Sequence, residues 1–134
     1  MIDKIDHIGI AVANLAESLA FYRDALGLEV SETEELTDMG LRVAFIPTGD
    51  TRLELLESTD PESAIGRFIE SRGPGIHHIA FRVSGIEDRI TELVEAGVRM
   101  VDNKPRGGAH GTRVAFLHPK SAGGVLYELV EEGE

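Results

Sequence analysis

The chain has no cysteine and no tryptophan. Without thiols there can be no disulfide, no thiolate metal site and no cysteine nucleophile. No apolar run approaches the roughly 20 residues that a membrane-spanning helix needs, so no membrane association is expected. Bases are also scarce, with 13 Lys and Arg against 24 Asp and Glu, a net charge of −11. That balance argues against nucleic acid as a partner, because phosphate contacts need a basic face. The opening residues Met1-Ile2-Asp3-Lys4 are not a basic segment leading into an apolar core, and a cytoplasmic protein is expected.

What is present is enough for one domain, or for two small halves sharing a core: 134 residues, 42% of them hydrophobic. The charges are unevenly spread. Glu32, Glu34, Glu35 and Asp38 follow one another without an intervening base. From Arg99 to Lys120, by contrast, Arg99, Lys104, Arg106, Arg113 and Lys120 face only Asp102. That basic run is either a solvated face or a local platform for an anionic ligand.

The strongest pattern is an internal repeat. Ile5-Asp6-His7-Ile8-Gly9-Ile10-Ala11-Val12 returns as Ile76-His77-His78-Ile79-Ala80-Phe81-Arg82-Val83, which places His7 on His78. Each copy reads as a half-buried strand, and a helix signal follows each. Asn14 with Glu17 opens the first helix, which carries an apolar stripe through Leu15, Leu19, Tyr22 and Leu26 and stops at Gly27. Ser84 with Glu87 opens the second, which continues through Ile86, Ile90, Leu93 and Val94 to Gly97. Further strands are expected at 28–32, 41–46 and 51–56 in the first half. In the second half they are expected at 98–101, 112–117 and 124–130.

Each half is therefore a β-α-β-β-β module, spanning 1–58 and 75–134. A connector at 59–74 carries a helix from Asp60, with Pro61 at its first position, and ends at Gly73-Pro74-Gly75. The expected fold class is α+β, built from two tandem βαβββ modules.

The final strands extend the correspondence, since Leu53-Glu54-Leu55 overlays Tyr127-Glu128-Leu129. A carboxylate between two apolar strand residues points away from them. His7, Glu54, His78 and Glu128 form a symmetric set of two imidazoles and two carboxylates, suited to a divalent ion such as Zn, Ni, Co, Mn or Fe. The plainer alternative leaves both carboxylates facing solvent and both histidines incidental.

This arrangement resembles the vicinal oxygen chelate (glyoxalase/bleomycin resistance) superfamily, and the resemblance implies that the two modules form a curved eight-stranded mixed sheet around a metal site. Within it, several segments resemble the methylmalonyl-CoA epimerases: 6–12, Leu53-Glu54-Leu55-Leu56-Glu57, Gly75-Ile76-His77-His78, Gly108-Ala109-His110-Gly111, Phe116-Leu117-His118-Pro119-Lys120 and Gly124-Val125-Leu126-Tyr127-Glu128-Leu129. The resemblance covers essentially the whole chain.

It implies an isomerase of propionate metabolism that interconverts (R)- and (S)-methylmalonyl-CoA, with one divalent ion held by His7, Glu54, His78 and Glu128. The implied chemistry is removal and return of the α-proton through a metal-stabilised enolate. Glu128 is one expected base, with Glu54 or a metal-bound water as the other. Some relatives place a glutamate on the third strand, where this chain has Val43. His110, Lys120, Arg106 and Arg113 are candidate contacts for the acyl-CoA, with Lys104 a further candidate for its phosphates. A homodimer is expected. The competing expectations are a glyoxalase I-type lactoylglutathione lyase and a non-catalytic small-molecule-binding module.

Overall fold

The computed structural model describes residues 2–133. Among the described residues, eight strands and three α-helices make an α+β arrangement, as the repeat predicts. The strands are β1 (Ile2–Val12), β2 (Glu32–Leu36), β3 (Leu41–Thr48), β4 (Thr51–Ser58), β5 (Gly75–Val83), β6 (Arg106–Gly107), β7 (Arg113–Phe116) and β8 (Tyr127–Glu131). The helices are α1 (Leu15–Leu19), α2 (Ala64–Arg72) and α3 (Ile86–Glu95). The chain divides into two compact units, one of residues 7–77 and one in which residues 78–133 are joined by the first residues of β1.

In the 7–77 unit the strands run in the order β2-β3-β4-β1. β1 and β4 are parallel, with Gly9 opposite Glu54, and β3 is antiparallel to both of its neighbours. One face buries Val12, Ala44, Ile46 and Leu55 against Leu15 and Leu19 of α1. The other buries Ala11, Leu41, Val43, Phe45 and Leu56 against Ile65, Phe68 and Ile69 of α2. Because β3 is covered on both faces, it reads as a continuous apolar run. Ile46 and Leu55 are fully buried, each contributing roughly 1.5–3 kcal/mol of transfer free energy.

The second unit repeats this plan in the order β5-β8-β7-β6, with Ala80 opposite Glu128 in the parallel pair and Phe116 opposite Glu128 in the antiparallel one. Helix α3 covers Val83, Ala115 and Leu129, while Ala80, Val114 and Val130 cluster on the Glu128 face.

Several local expectations are corrected. The strand expected at 28–32 begins at Glu32 instead, and Leu28 and Val30 pack into the α1 core without a ladder partner. No strand forms over 98–101; Met100 makes a single bridge to Leu117, and the short β6 takes the place of that strand. The first helix is α-helical only to Leu19 and continues over Ala20–Ala25 as a π-helix, in which Leu26 N–H reaches back to Phe21 C=O. Asn14 does cap α1, accepting from Glu17 N–H.

Helix α2 starts three residues later than Pro61, capped by Ser63, which accepts from Gly66 N–H. Ser84 does not cap α3. The cap is Gly85 in the left-handed region (φ 62°), and Glu131 accepts the Ile86 N–H. Glu87 turns instead to Arg113.

Candidate metal and proton-transfer site

Strand alternation places His7 on the same face as Glu54, because His7 lies opposite Arg52 and Gly9 opposite Glu54. Both side chains are buried, and His7 Nδ1 lies 3.3 Å from Glu54 Oε2. Arg52, two residues earlier on β4, also donates from Nε to Glu54 Oε2 at 3.1 Å. Its guanidinium stands 5.6 Å from the centroid of Phe45, the residue opposite Glu54 on β3.

The other unit contains the counterpart pair. His78 Nε2 lies 3.4 Å from Glu128 Oε1, and both residues are buried. Phe116, opposite Glu128, meets the His78 ring edge to face at 5.8 Å between centroids. Each unit thus brings one imidazole and one carboxylate together at equivalent repeat positions. Burying such groups is costly unless they are hydrogen-bonded, paired or bound to an ion. An imidazole nitrogen beside a carboxylate is a donor pair that suits a divalent transition metal.

The candidate substrate contacts are more exposed. His110 lies in a tight turn with φ 58°, the only non-glycine in the left-handed region among the described residues. Such strain persists where the surroundings over-determine the backbone, often at functional loops. Arg106 stands 5.5 Å from the centroid of Phe116, with Nε 3.4 Å from Asp102 Oδ1. Lys120 is exposed in the Pro119–Ser121 turn, its N–H donated to His118 Nδ1. Arg113 is bound on both sides, at 2.7 Å to Glu87 and 3.1 Å to Glu131. The hydrogen bond to Glu87 is the main reason its guanidinium holds its proton above the ordinary range.

Residues 6–116 match the profile of the Glyoxalase/Bleomycin resistance protein/Dioxygenase superfamily. The chain belongs to that superfamily. It is 41% identical to the ethylmalonyl-CoA/methylmalonyl-CoA epimerase of Cereibacter sphaeroides, over 96% of this chain and 98% of that protein. Among solved structures, it resembles methylmalonyl-CoA epimerase from Mycobacterium tuberculosis, with 39% identity and a TM-score of 0.91. That match covers 99% of this chain and 90% of the other. A variant of the Streptomyces coelicolor methylmalonyl-CoA epimerase, in complex with 2-nitronate-propionyl-CoA, matches equally well. Its TM-score is 0.91 at 39% identity, and both chains are covered fully.

Two features of this superfamily member lie outside the repeated His and Glu positions. Asp6, only 3% exposed, accepts from Arg82 Nε at 2.8 Å and from Arg82 Nη2, while Arg82 Nη1 donates to Glu132 at 3.0 Å. The sequence signal was available, since an aspartate in an otherwise apolar strand calls for a cation. His77, the repeat counterpart of Asp6, packs edge to face on Phe68 of α2 at 5.1 Å between centroids. Burial, and secondarily the Arg72 charge, push its imidazole below the ordinary value of 6.5. No helix among the described residues is long and apolar enough to cross a membrane.

Proposed function

We propose that the chain is a metal-dependent methylmalonyl-CoA epimerase. The observation that carries this is the duplication itself. The same buried His–Glu pair stands at equivalent strand positions in both units of a chain akin to epimerases along nearly its whole length. In this reading His7, Glu54, His78 and Glu128 hold one divalent ion, of the Co, Mn, Ni, Zn or Fe class. When bound, that ion supplies Lewis-acid stabilisation to the negative charge that develops on the substrate's oxygens.

The residues of the chain do the rest. Glu128 takes the α-proton, which is acidified by the thioester carbonyl and the carboxylate on either side of it. Glu54, fixed by His7 and Arg52, is ligand and candidate second base. Arg106, Lys120 and His110 receive the anionic and carbonyl groups of the acyl-CoA. Arg113 contributes less, because Glu87 and Glu131 already engage it. We extend the reading to a cytoplasmic homodimer acting in propionate metabolism, which sedimentation of the purified protein tests in part.

The direct experiment gives purified, metal-analysed protein (S)-methylmalonyl-CoA in deuterated water. Deuterium at the α-carbon together with loss of optical activity is the expected result. Turnover of the methylglyoxal–glutathione adduct alone would sink the proposal. Glu128→Gln is expected to lower kcat by about 10²–10⁴-fold, the usual worth of a positioned proton-transfer group. Elemental analysis of the same variant reports whether the ion is retained.

A further inference from the structure

Each unit seats an arginine near the phenylalanine that lies opposite its buried glutamate, yet the two arginines turn to different partners. In the 7–77 unit Arg52 stands over Phe45, and its Nε donates to Glu54 Oε2 at 3.1 Å. In the other unit Arg106 stands over Phe116, and its Nε turns to Asp102 at 3.4 Å. At the repeat position of Arg52, two residues before Glu128, the second unit has Leu126, whose side chain has no donor. The His–Glu pair is repeated, and the arginine on its carboxylate is not.

Strand geometry explains how Arg52 reaches Glu54. Residues two apart on β4 project from one face, and Arg52 lies opposite His7 on β1, so all three side chains share that face. Beside Glu54 stand Phe45 on β3 and Gly9 on β1. Glycine offers no side chain to hold the carboxylate from the β1 side, and the hydrogen bond from Arg52 supplies a restraint along the strand. Arg52 is itself held twice, by the carboxylate and by the Phe45 ring 5.6 Å away, so its planar guanidinium donates from a fixed position. Its side chain is 31% exposed against 11% for Glu54, so the arginine charge stays partly hydrated while the carboxylate it holds is buried.

From these contacts we infer that Arg52 is the positioning residue of Glu54: it holds Oε2 and so fixes the direction in which the carboxylate is presented to an ion. The inference rests on the reading of Glu54 as an ion ligand given above. A carboxylate has about four lone-pair sites, so one hydrogen bond from Arg52 orients the group and leaves it able to bind an ion. Hydrogen-bond partners that orient metal ligands are worth about 10–100-fold in metal affinity. Charge alone acts with the opposite sign, because removing a cation beside the carboxylate strengthens its attraction for a divalent ion. The direction of the change in affinity therefore separates orientation of a ligand from simple neutralisation of a buried carboxylate.

The test is Co²⁺ binding to the metal-stripped protein, measured by competition with a chelator and by the visible absorption of the bound ion. Arg52→Met is expected to bind Co²⁺ about 10–100-fold more weakly than the wild type. Its visible spectrum should also shift, because the carboxylate no longer has a fixed direction. Arg52→Gln, neutral as well, carries the same comparison if the methionine variant does not fold. Arg52→Lys, which keeps a charged donor in reach of Oε2, is expected to recover part of the loss. In a Glu54→Ala background, Arg52→Met should cost nothing further, since no carboxylate is left to orient. Arg42 lies opposite Glu57 on the other face of the same strands, where it binds Glu35 and Glu57 at 3.1 and 2.8 Å. Arg42→Met is expected to leave Co²⁺ affinity at the wild-type value. Unchanged or tighter binding in Arg52→Met, or an equal loss with and without Glu54, overturns the role given to Arg52 while the epimerase reading stands. A wild-type protein that binds no divalent ion overturns both.

Discussion

Asp6 immediately precedes His7 on β1, and its removal is expected to destabilise the unit that contains Asp6 and Arg82. The carboxylate is buried and takes two donors from Arg82, whose side chain is only 20% exposed. In Asp6→Ala the guanidinium keeps Glu132 at the surface, but its inner edge faces the cavity left by the carboxylate. Removing one member of a buried ion pair costs about 3–5 kcal/mol, because the remaining charge stays desolvated and uncompensated. The partial exposure of Arg82 and its retained bond to Glu132 place this case at the low end, about 3 kcal/mol. For a chain of 134 residues, that corresponds to a fall in Tm of about 10 °C.

The informative assay is a double-mutant cycle of Asp6→Ala, Arg82→Met and the double variant, followed by urea unfolding at constant m and by thermal melts. The two single losses should exceed the double loss by about 1–3 kcal/mol, since the double variant buries no orphaned charge. Strictly additive losses, or a Tm drop under about 3 °C in Asp6→Ala, would show that the pair behaves as a solvated surface bridge and refute the argument.

Two further outcomes follow from local geometry. Gly66→Ala should lower stability by about 1–3 kcal/mol although alanine is the better helix former, because a Cβ there would stand 2.7 Å from the Asp60 and Pro61 carbonyl oxygens. A higher Tm in that variant would contradict the packing of α2. His77 has a folded-state pKa below its unfolded 6.5, so its contribution to stability is complete above that value and is lost as the pH falls through it. The fall in Tm between pH 7.5 and 5.5 should therefore shrink in His77→Phe, and an unchanged difference would count against the burial of this imidazole.

The repeat was legible because it is carried by residues with strong local constraints: apolar alternation on β1 and β5, Asn14 at a helix start, and Gly27 and Gly97 with φ of 73° and 90° at helix ends. The His–Glu pairing was legible from offset alone, since parallel strands in register bring together residues that hydropathy cannot connect. Other features depend on partners distant in sequence. β2 is a row of acids whose pairing with β3 supplies the ladder, so propensity placed it too early, at Leu28 and Val30. Ser84 with Glu87 has the form of a capping box, yet Arg113 claims Glu87 and Glu131 takes the Ile86 N–H, so tertiary contacts override the local signal. The Asp6–Arg82 pair spans 76 positions and has no short-range trace except the oddity of the aspartate itself.

The two units share a frame and differ in what they place around it. Opposite the ligand-candidate carboxylate each unit has a phenylalanine, Phe45 or Phe116, and two residues further each has a valine, Val43 or Val114. Each phenylalanine has an arginine near its ring, but Arg52 comes from β4 and Arg106 from β6. The difference sharpens on the edge strands, where the residue opposite the valine is Glu34 in one unit and Arg106 in the other. The duplicated scaffold thus repeats its buried His–Glu pair and diverges on the edge strands. The edge position is acidic in one unit and basic in the other, and the basic one offers a partner for an anionic group. The repeated positions therefore lie on β1, β4, β5 and β8, and the divergent ones on the edge strands β2 and β6.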